Sequence, residues 1–298
     1  MNQGSKTWPD WIERLIAPQR HHSDAWIRDL KEGAARAEQP GIRTSRRTLP
    51  VVVSLTSFGG RIDWVHLVIE SLFRQTVLAD EIVLWLADHE FEGRPLPSSL
   101  SRLEDRGLTI RFTKDIGPYK KLIPQLRYDD QTIIVTVDDD VLMPPTTLEH
   151  LLEAHVLEPN LVHCNRAHRI SFDRQGRVRP YVKWASQISD RTASHLVFPT
   201  GVGGVLYPPG SLHKEITNEA AFQRLAPTND DIWFKAMAIL AGTPARKTCA
   251  GRAFKDHRFT FTPESQIKSL AVYNRHGGGN DQWIADVFDH YEIWGKLV

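Results

Sequence analysis

Sulfur is scarce in this 298-residue chain, which has two cysteines, Cys164 and Cys249, and three methionines. Two thiols cannot make a disulfide framework, so a reducing, cytoplasmic setting is expected and the fold must rest on its core. Long apolar runs are missing as well. No window approaches the roughly 18 apolar residues of a membrane span. The N-terminal MNQGSKTWPDWIERLIAPQR lacks the apolar centre of a secretion signal. Nor does one sign of charge dominate, with 37 Lys and Arg against 36 Asp and Glu. That balance argues against a dedicated nucleic-acid binder and leaves room for a local basic pocket for phosphates. No internal repeat or low-complexity tract is visible. What is present, 41% hydrophobic and 24% charged residues, is the composition of a soluble globular protein able to bury a substantial core.

Residues 1–48 read as a helical extension and linker, closing with QPGIRTSRRTLP. Trp8, Trp11, Ile12, Leu15 and Ile16 give the extension a short amphipathic face. Packing onto the main domain is its expected use and peripheral contact with the inner face of a membrane the second, since Asp10 and Glu13 interrupt the basic face that anionic lipid favours. A single large domain is expected over 49–298. Val51–Leu55, Glu81–Leu86, Leu108–Phe112 and Thr132–Val137 read as strands, and Asp63–Gln75 and Tyr119–Leu126 as helices. This order predicts an α/β fold: a mostly parallel, Rossmann-like sheet flanked by helices. Leu161–Cys164 continues the strand pattern, Gly176–Trp184 suggests a hairpin, and Asp230–Leu240 reads as a helix capped by Thr228 or Asn229. The glycines and prolines of FPTGVGGVLYPPGSL predict close packing against a ligand or another backbone.

The segment Thr132–Pro145, TIIVTVDDDVLMPP, carries the clearest chemistry, because its apolar strand ends in Asp138, Asp139 and Asp140. Ligands bind at the carboxyl edge of open α/β sheets, and three adjacent carboxylates repel one another unless a cation or hydrogen-bond donors share the site. Oxygen-rich clusters of this kind suit Mg²⁺ or Mn²⁺ holding a diphosphate. The alternative is a polar turn whose acids cap the helix starting near Thr146. A turn needs one cap, not three acids.

Four elements in order, TSFGGRI after the first strand, DDD after the fourth, GGVLY, and NDD opening a late helix, make the chain resemble the GT-A-fold glycosyltransferases over Leu49–Gly242. The likeness is to those allied to family 2 and to the exostosin-like transferases. An acidic triplet alone is a weak signal; an apolar strand before it and an acidic helix start about 90 residues later are more specific. The resemblance implies an enzyme dependent on Mn²⁺ or Mg²⁺ that moves a sugar from a nucleoside-diphosphate donor, expected to be UDP-linked, to a hydroxyl of a glycan or lipid-linked glycan. Bacterial cell-surface or capsular polysaccharide synthesis is the implied setting. Residues 49–145 would then be the nucleotide-binding half, and 146–298 the acceptor half with a C-terminal loop.

The same resemblance assigns roles. Asp140 is implied as the principal metal ligand, joined by Asp138, while Asp138 and Asp139 contact the ribose or waters around the metal. Thr56, Arg61, Asp88 and Lys121 would bind the donor: Arg61 through a phosphate or the base, Asp88 through the base or ribose. Lys121, in DIGPYKKLIPQL, would hold a phosphate at a helix N-terminus, leaving Lys120 as a surface lysine. Asp231 would deprotonate the acceptor in an inverting reaction, with Asp230 orienting the acceptor or serving as base instead; an acid that forms or shields a covalent intermediate would give retention. Helix capping is the bland reading of that pair. His257 in KDHRF or His276 in HGGGND would complete the metal shell. Gly277–Gly279 would then hinge a loop over the donor, with Asn280 or Asp281 as its polar contact. Trp184 and Trp233 are placed to stack on sugar, although Trp233 reads as core because Ile232 and Phe234 already fill its helix face.

Three rivals fit less well. A sugar nucleotidyltransferase needs a Gly-rich phosphate loop that TSFGGRI matches poorly. A metal-dependent phosphohydrolase needs a second His and Asp cluster, and none is visible. A non-catalytic carbohydrate-binding module is disfavoured by the chain's size and its two acidic groups.

Overall fold

The computed structural model describes residues 25–34, 36–91, 93–248, 260–262 and 279–297. Met1–Glu38 and Gln39–Val298 form separate compact units. In the first, residues 25–34 are helical. Among the described residues no helix is long and apolar enough to cross a membrane. The second unit carries the sheet and everything that follows.

β1 (Val51–Thr56), β2 (Glu81–Ala87), β3 (Leu108–Thr113) and β4 (Ile133–Thr136) form where the apolar runs predict them. After them come β5 (Val141–Leu142), β6 (Val162–Cys164), β7 (Ala167–Arg169), β8 (Val197–Pro199), β9 (Val205–Tyr207), β10 (Ala245–Lys247) and β11 (Thr260–Phe261). Seven of these make one sheet in the order β10-β6-β9-β4-β1-β2-β3. β1 runs parallel to β2 and β4, β2 to β3, and β6 to β10. β9 runs antiparallel to both β4 and β6. The result is the mostly parallel, Rossmann-like α/β sheet expected.

β1 and β4 read as mostly apolar runs, with Ser54 the buried exception inside β1, because both of their faces are covered. The start of β1 is fixed by Asp80, whose carboxylate accepts from the Val51 amide at 2.8 Å and pairs with the Arg47 guanidinium at 2.8 Å. The helices are α1 (Val65–Phe73), α2 (Ser98–Glu104), α3 (Ile123–Tyr128), α4 (Thr147–Leu157), α5 (Glu219–Leu225), α6 (Asp230–Leu240) and α7 (Gly279–His290). α6 is buried almost all round, including Ile232, Trp233, Phe234, Met237 and Ile239, as befits a helix packed inside the core.

Several sequence expectations need correction. α2 lies between β2 and β3, where two strands in succession were expected; parallel neighbours require such a crossover. Tyr119–Leu126 is not one helix. A 3-10 turn over Gly117–Lys121 precedes α3, because Pro124 at the start of α3 cannot donate an amide hydrogen and disfavours helical backbone before it. The hairpin around Gly176 is a stub. Phe172 and Val178 bridge across the turn, after which the chain enters a 3-10 turn at Tyr181–Lys183. Trp184 is a core residue and not a sugar platform: it is 5% exposed, its Nε1 donates to the Arg179 carbonyl at 2.8 Å, and it packs edge-on against Phe198. Trp233 is fully buried, as expected, and its Nε1 donates to the Ile216 carbonyl at 3.0 Å.

Candidate active site

β4 delivers the acidic triplet to the carboxyl edge of the sheet, and two side chains from α1 and its end hold the turn that follows. Ser71 Oγ accepts from the Met143 amide at 2.9 Å. Gln75 Nε2 donates to the Pro144 carbonyl at 2.8 Å, while its Oε1 accepts from the Leu148 amide at 3.0 Å. These buried hydrogen bonds leave the segment after Asp140 little freedom.

Within the triplet Asp139 and Asp140 share Arg61, and Asp138 takes Lys121. Asp139 is 6% exposed; its oxygens accept from Ser57 Oγ and Arg61 Nη1, both at 2.7 Å. Arg61 Nη2 lies 3.3 Å from Asp140 Oδ2. Asp138 accepts from Lys121 Nζ at 2.8 Å, and the same Nζ lies 2.9 Å from Asp230 Oδ2. Lys121 therefore joins two acidic groups that the sequence keeps far apart. The Tyr119 hydroxyl, donating to the Ala226 carbonyl, ties the lysine's turn to the segment before α6.

α6 opens as expected, with Asn229 as N-cap accepting from the Ile232 amide at 3.3 Å. Its first two residues are Asp230 and Asp231. Asp230 is 7% exposed, and Asp231 keeps part of its surface open. The Gly201 amide donates to the Asp231 carboxylate at 3.1 and 3.2 Å. A β-carbon on Gly201 would sit 2.7 Å from Asp138 Oδ1 and 2.8 Å from Lys121 Nζ. The close approach predicted for the glycine-rich segment is thus an approach to the acids themselves.

Electrostatics follow from this crowding. Asp140 is pushed up to about 7, first by burial and then by its like-charged neighbours Asp138 and Asp139. Asp231 is also pushed up to about 7, by burial first and Asp230 second. Burial likewise raises Asp139 and Asp230 against the pull of Arg61 and Lys121, respectively. For Lys121 burial alone would lower the affinity for its proton, but Asp138, Asp230 and Asp231 outweigh it and hold the ammonium charged. Among the described residues five carboxyl groups face two cations, Arg61 and Lys121. The excess of three acids among the described residues, and the raised proton affinity of Asp140, fit a site with room for more positive charge. Asp138 and Asp140 would hold a hard divalent cation there, with phosphate oxygens as further ligands.

The other expected residues fall in different places. Thr56 ends β1 but turns away, its hydroxyl donating to the Trp85 carbonyl at 2.8 Å. Asp88 is exposed at the head of a helical turn, Asp88–Phe91, that follows β2. Lys120 is buried and not a surface lysine; it pairs with Asp115. Lys121 closes a 3-10 turn and stands two residues before α3 begins at Ile123. His257 and His276 lie outside the described residues, as do Gly277 and Gly278 of the expected hinge. Gly279 begins α7, where Asn280 accepts from Asn229 Nδ2 at 2.7 Å and Asp281 accepts from the Tyr181 amide at 2.6 Å. Both polar side chains serve internal contacts.

A second group of potential ligands does exist, contrary to the sequence reading. One ligand atom each from His89, Glu90 and Asp115 lies within 4.8 Å of the others. Its acids are already engaged: Glu90 accepts from the Gly59 amide at 3.0 Å, and Asp115 from the Gly117 amide at 2.9 Å and from Lys120. Ser57 and Gly201 are the contacts that sequence reasoning missed. Side chains alternate along a strand, so choosing Thr56 at the end of β1 chose the residue facing away.

The sequence matches no protein-family model and no curated protein. Among solved structures, a mannosyltransferase from Pyrobaculum calidifontis in complex with GDP-Man and Mn²⁺ aligns with 79% of this chain at 17% identity and a TM-score of 0.44. The alignment spans 65% of that protein's length. The inositol-1-phosphate CTP transferase of T. maritima aligns with 80% of this chain and 98% of its own, at 12% identity and a TM-score of 0.41. Likeness this distant carries no inference about activity.

Proposed function

We propose that the chain is a metal-dependent glycosyltransferase that moves a sugar from a nucleoside-diphosphate donor, UDP-linked in our reading, to a hydroxyl of a glycan or lipid-linked glycan. Cell-surface or capsular polysaccharide synthesis on the cytoplasmic side is the setting we assign to it. One observation carries the reading: Lys121 joins Asp138, at the end of β4, to Asp230, at the start of α6, so two acidic groups share one edge of the sheet. A nucleotide-binding protein without transfer chemistry has no need of the second group.

In this reading Asp138 and Asp140 would hold Mn²⁺ or Mg²⁺ beside the donor. The bound ion supplies positive charge to the leaving nucleoside diphosphate. Asp139, held by Ser57 and Arg61, keeps the guanidinium at the site's edge, where it adds a phosphate contact. Lys121 offers its ammonium to the same phosphates. Asp231 takes the proton of the acceptor hydroxyl, and its raised affinity for a proton, with a value near 7, suits a general base at neutral pH. The Gly201 amide orients that carboxylate, and Asp230 balances Lys121.

Incubation with a panel of sugar nucleotides, Mn²⁺ or Mg²⁺, and glycan acceptors tests the proposal. A glycosylated acceptor and free nucleoside diphosphate are expected. Formation of nucleoside triphosphate and sugar phosphate only when pyrophosphate is added would identify a nucleotidyltransferase, and release of nucleoside monophosphate and sugar phosphate by water without transfer would identify a phosphohydrolase. Either outcome removes the proposal.

A further inference from the structure

Lys235 has no part in the site as described, yet it is a buried amine left without a partner among the described residues. It is 3% exposed, and its Nζ has no hydrogen-bond partner among them. Buried amines rarely stand alone, since desolvation of an unpaired ammonium is costly. The residue lies four positions after Asp231 on α6, and side chains at that spacing share a helix face. Both residues line a small cavity with Val162, Tyr207 and Ala238 among its walls. The cavity measures about 10 Å³, close to the room that one water requires. A water there would meet polar partners on two sides.

We propose that Lys235 is a positioning residue for Asp231, joined to it through one water in this cavity and receiving the proton that the carboxylate takes up. This rests on the reading of Asp231 as the base. The steps balance. The Asp231 carboxylate accepts the acceptor's hydroxyl proton as the new glycosidic bond forms. Asp231 then passes a proton to the water, the water passes one of its own to the Lys235 amine, and carboxylate, water and ammonium result. Burial, the largest cause, lowers the lysine to about 7, with Cys164 pulling weakly the other way, which places it level with Asp231. The other groups facing Asp231 are Asp230, Lys121 and Asp138, with Tyr119 and Tyr207 nearby. Besides Cys164, Lys235 faces His195. None of these groups lies on α6 between the two.

The test is a pH titration of the full chain carrying ¹⁵N at its lysine side chains, without metal or substrate. The Lys235 resonance is assigned through its bonds to the backbone. In the wild type Lys235 should titrate near neutrality, and Asp231→Asn should lower its midpoint by about one unit, because the facing negative charge is gone. An unchanged midpoint overturns the proposal. A second arm uses turnover. Lys235→Met should move the acid limb to higher pH by about one unit, a loss of about ten-fold on that limb. An unmoved limb in a folded variant also overturns it. If Asp231→Asn leaves turnover intact, the assignment of the base fails instead, while the resonance titration still decides whether the two residues are coupled.

Discussion

Asp230 and Asp231 are adjacent in sequence but differ in surroundings, and that difference separates their expected roles. Asp230 faces the Lys121 ammonium, whereas Asp231 is held by a backbone amide and keeps an open side. Asp231→Asn should preserve donor binding and lower turnover by a factor of roughly 10² to 10⁴, the range for a lost general base. Asp230→Asn should be milder in turnover. Calorimetric titration with UDP and Mn²⁺ beside steady-state rates distinguishes the two; reversed effects would move the base to Asp230, and no effect on either would leave both as helix caps. At this scale the sequence was most legible where chemistry is concentrated. Three consecutive acids and an acidic pair are visible in any reading, and the structure brings them together. Ser57, Ser71, Gln75 and Gly201 were not visible, because a lone hydroxyl, amide or glycine acquires meaning only from what the fold sets opposite it.

The loop before β9 shows the same limit for whole elements. Glycine and proline in FPTGVGGVLYPPGSL gave away a close approach, but not that it would be to Asp138 and Lys121. Gly201→Ala tests how tightly that loop is fitted. The atoms nearest the added methyl are the tips of two side chains, so stability should fall by no more than about 1–2 kcal/mol. Asp138 and Lys121 must move apart, however, and metal-dependent nucleotide binding should weaken by about ten-fold or more. Thermal unfolding and calorimetry on the same preparation check it; loss of stability with unchanged binding would show that the loop packs without shaping the site. Strand positions were read well because β1, β2 and β4 are apolar runs covered on both faces. α2 was missed since SSLSRLE is short and mostly polar, with only Leu100 and Leu103 buried. One rule would have supplied it, that parallel neighbours need a crossover between them.

On the scale of the whole molecule, pH dependence should reveal a strut far from the acids in sequence. His163 on β6 is fully buried, and its Nε2 is bonded to the Glu158 carbonyl at 2.8 Å, with His155 beside it. Burial first, and His155 second, push it down to about 4 from 6.5. The folded state therefore binds this proton more weakly than the unfolded chain does. Its contribution to stability is present above about pH 6.5 and is lost as pH falls toward 4, up to about 3 kcal/mol in all. Urea unfolding near pH 7 and again near pH 4.5 should show a smaller drop for His163→Gln than for the wild type. Equal drops in both proteins would mean that His163 protonates without resistance.

The direction of β9 has a consequence for engineering. In an all-parallel sheet the active edge is built from loops that leave strands; here one of its walls, the segment carrying Gly201, is a loop that enters one. The chain's two passages around β9 are thus unequal neighbours. Residues 200–204 reach the acids, while 208–212, with Pro208, Pro209 and Gly210, turn at the far end of the same strand. A fluorophore or affinity handle belongs on the second passage. There it reports on the sheet without touching the reaction, and it leaves the first passage as short as the acids require.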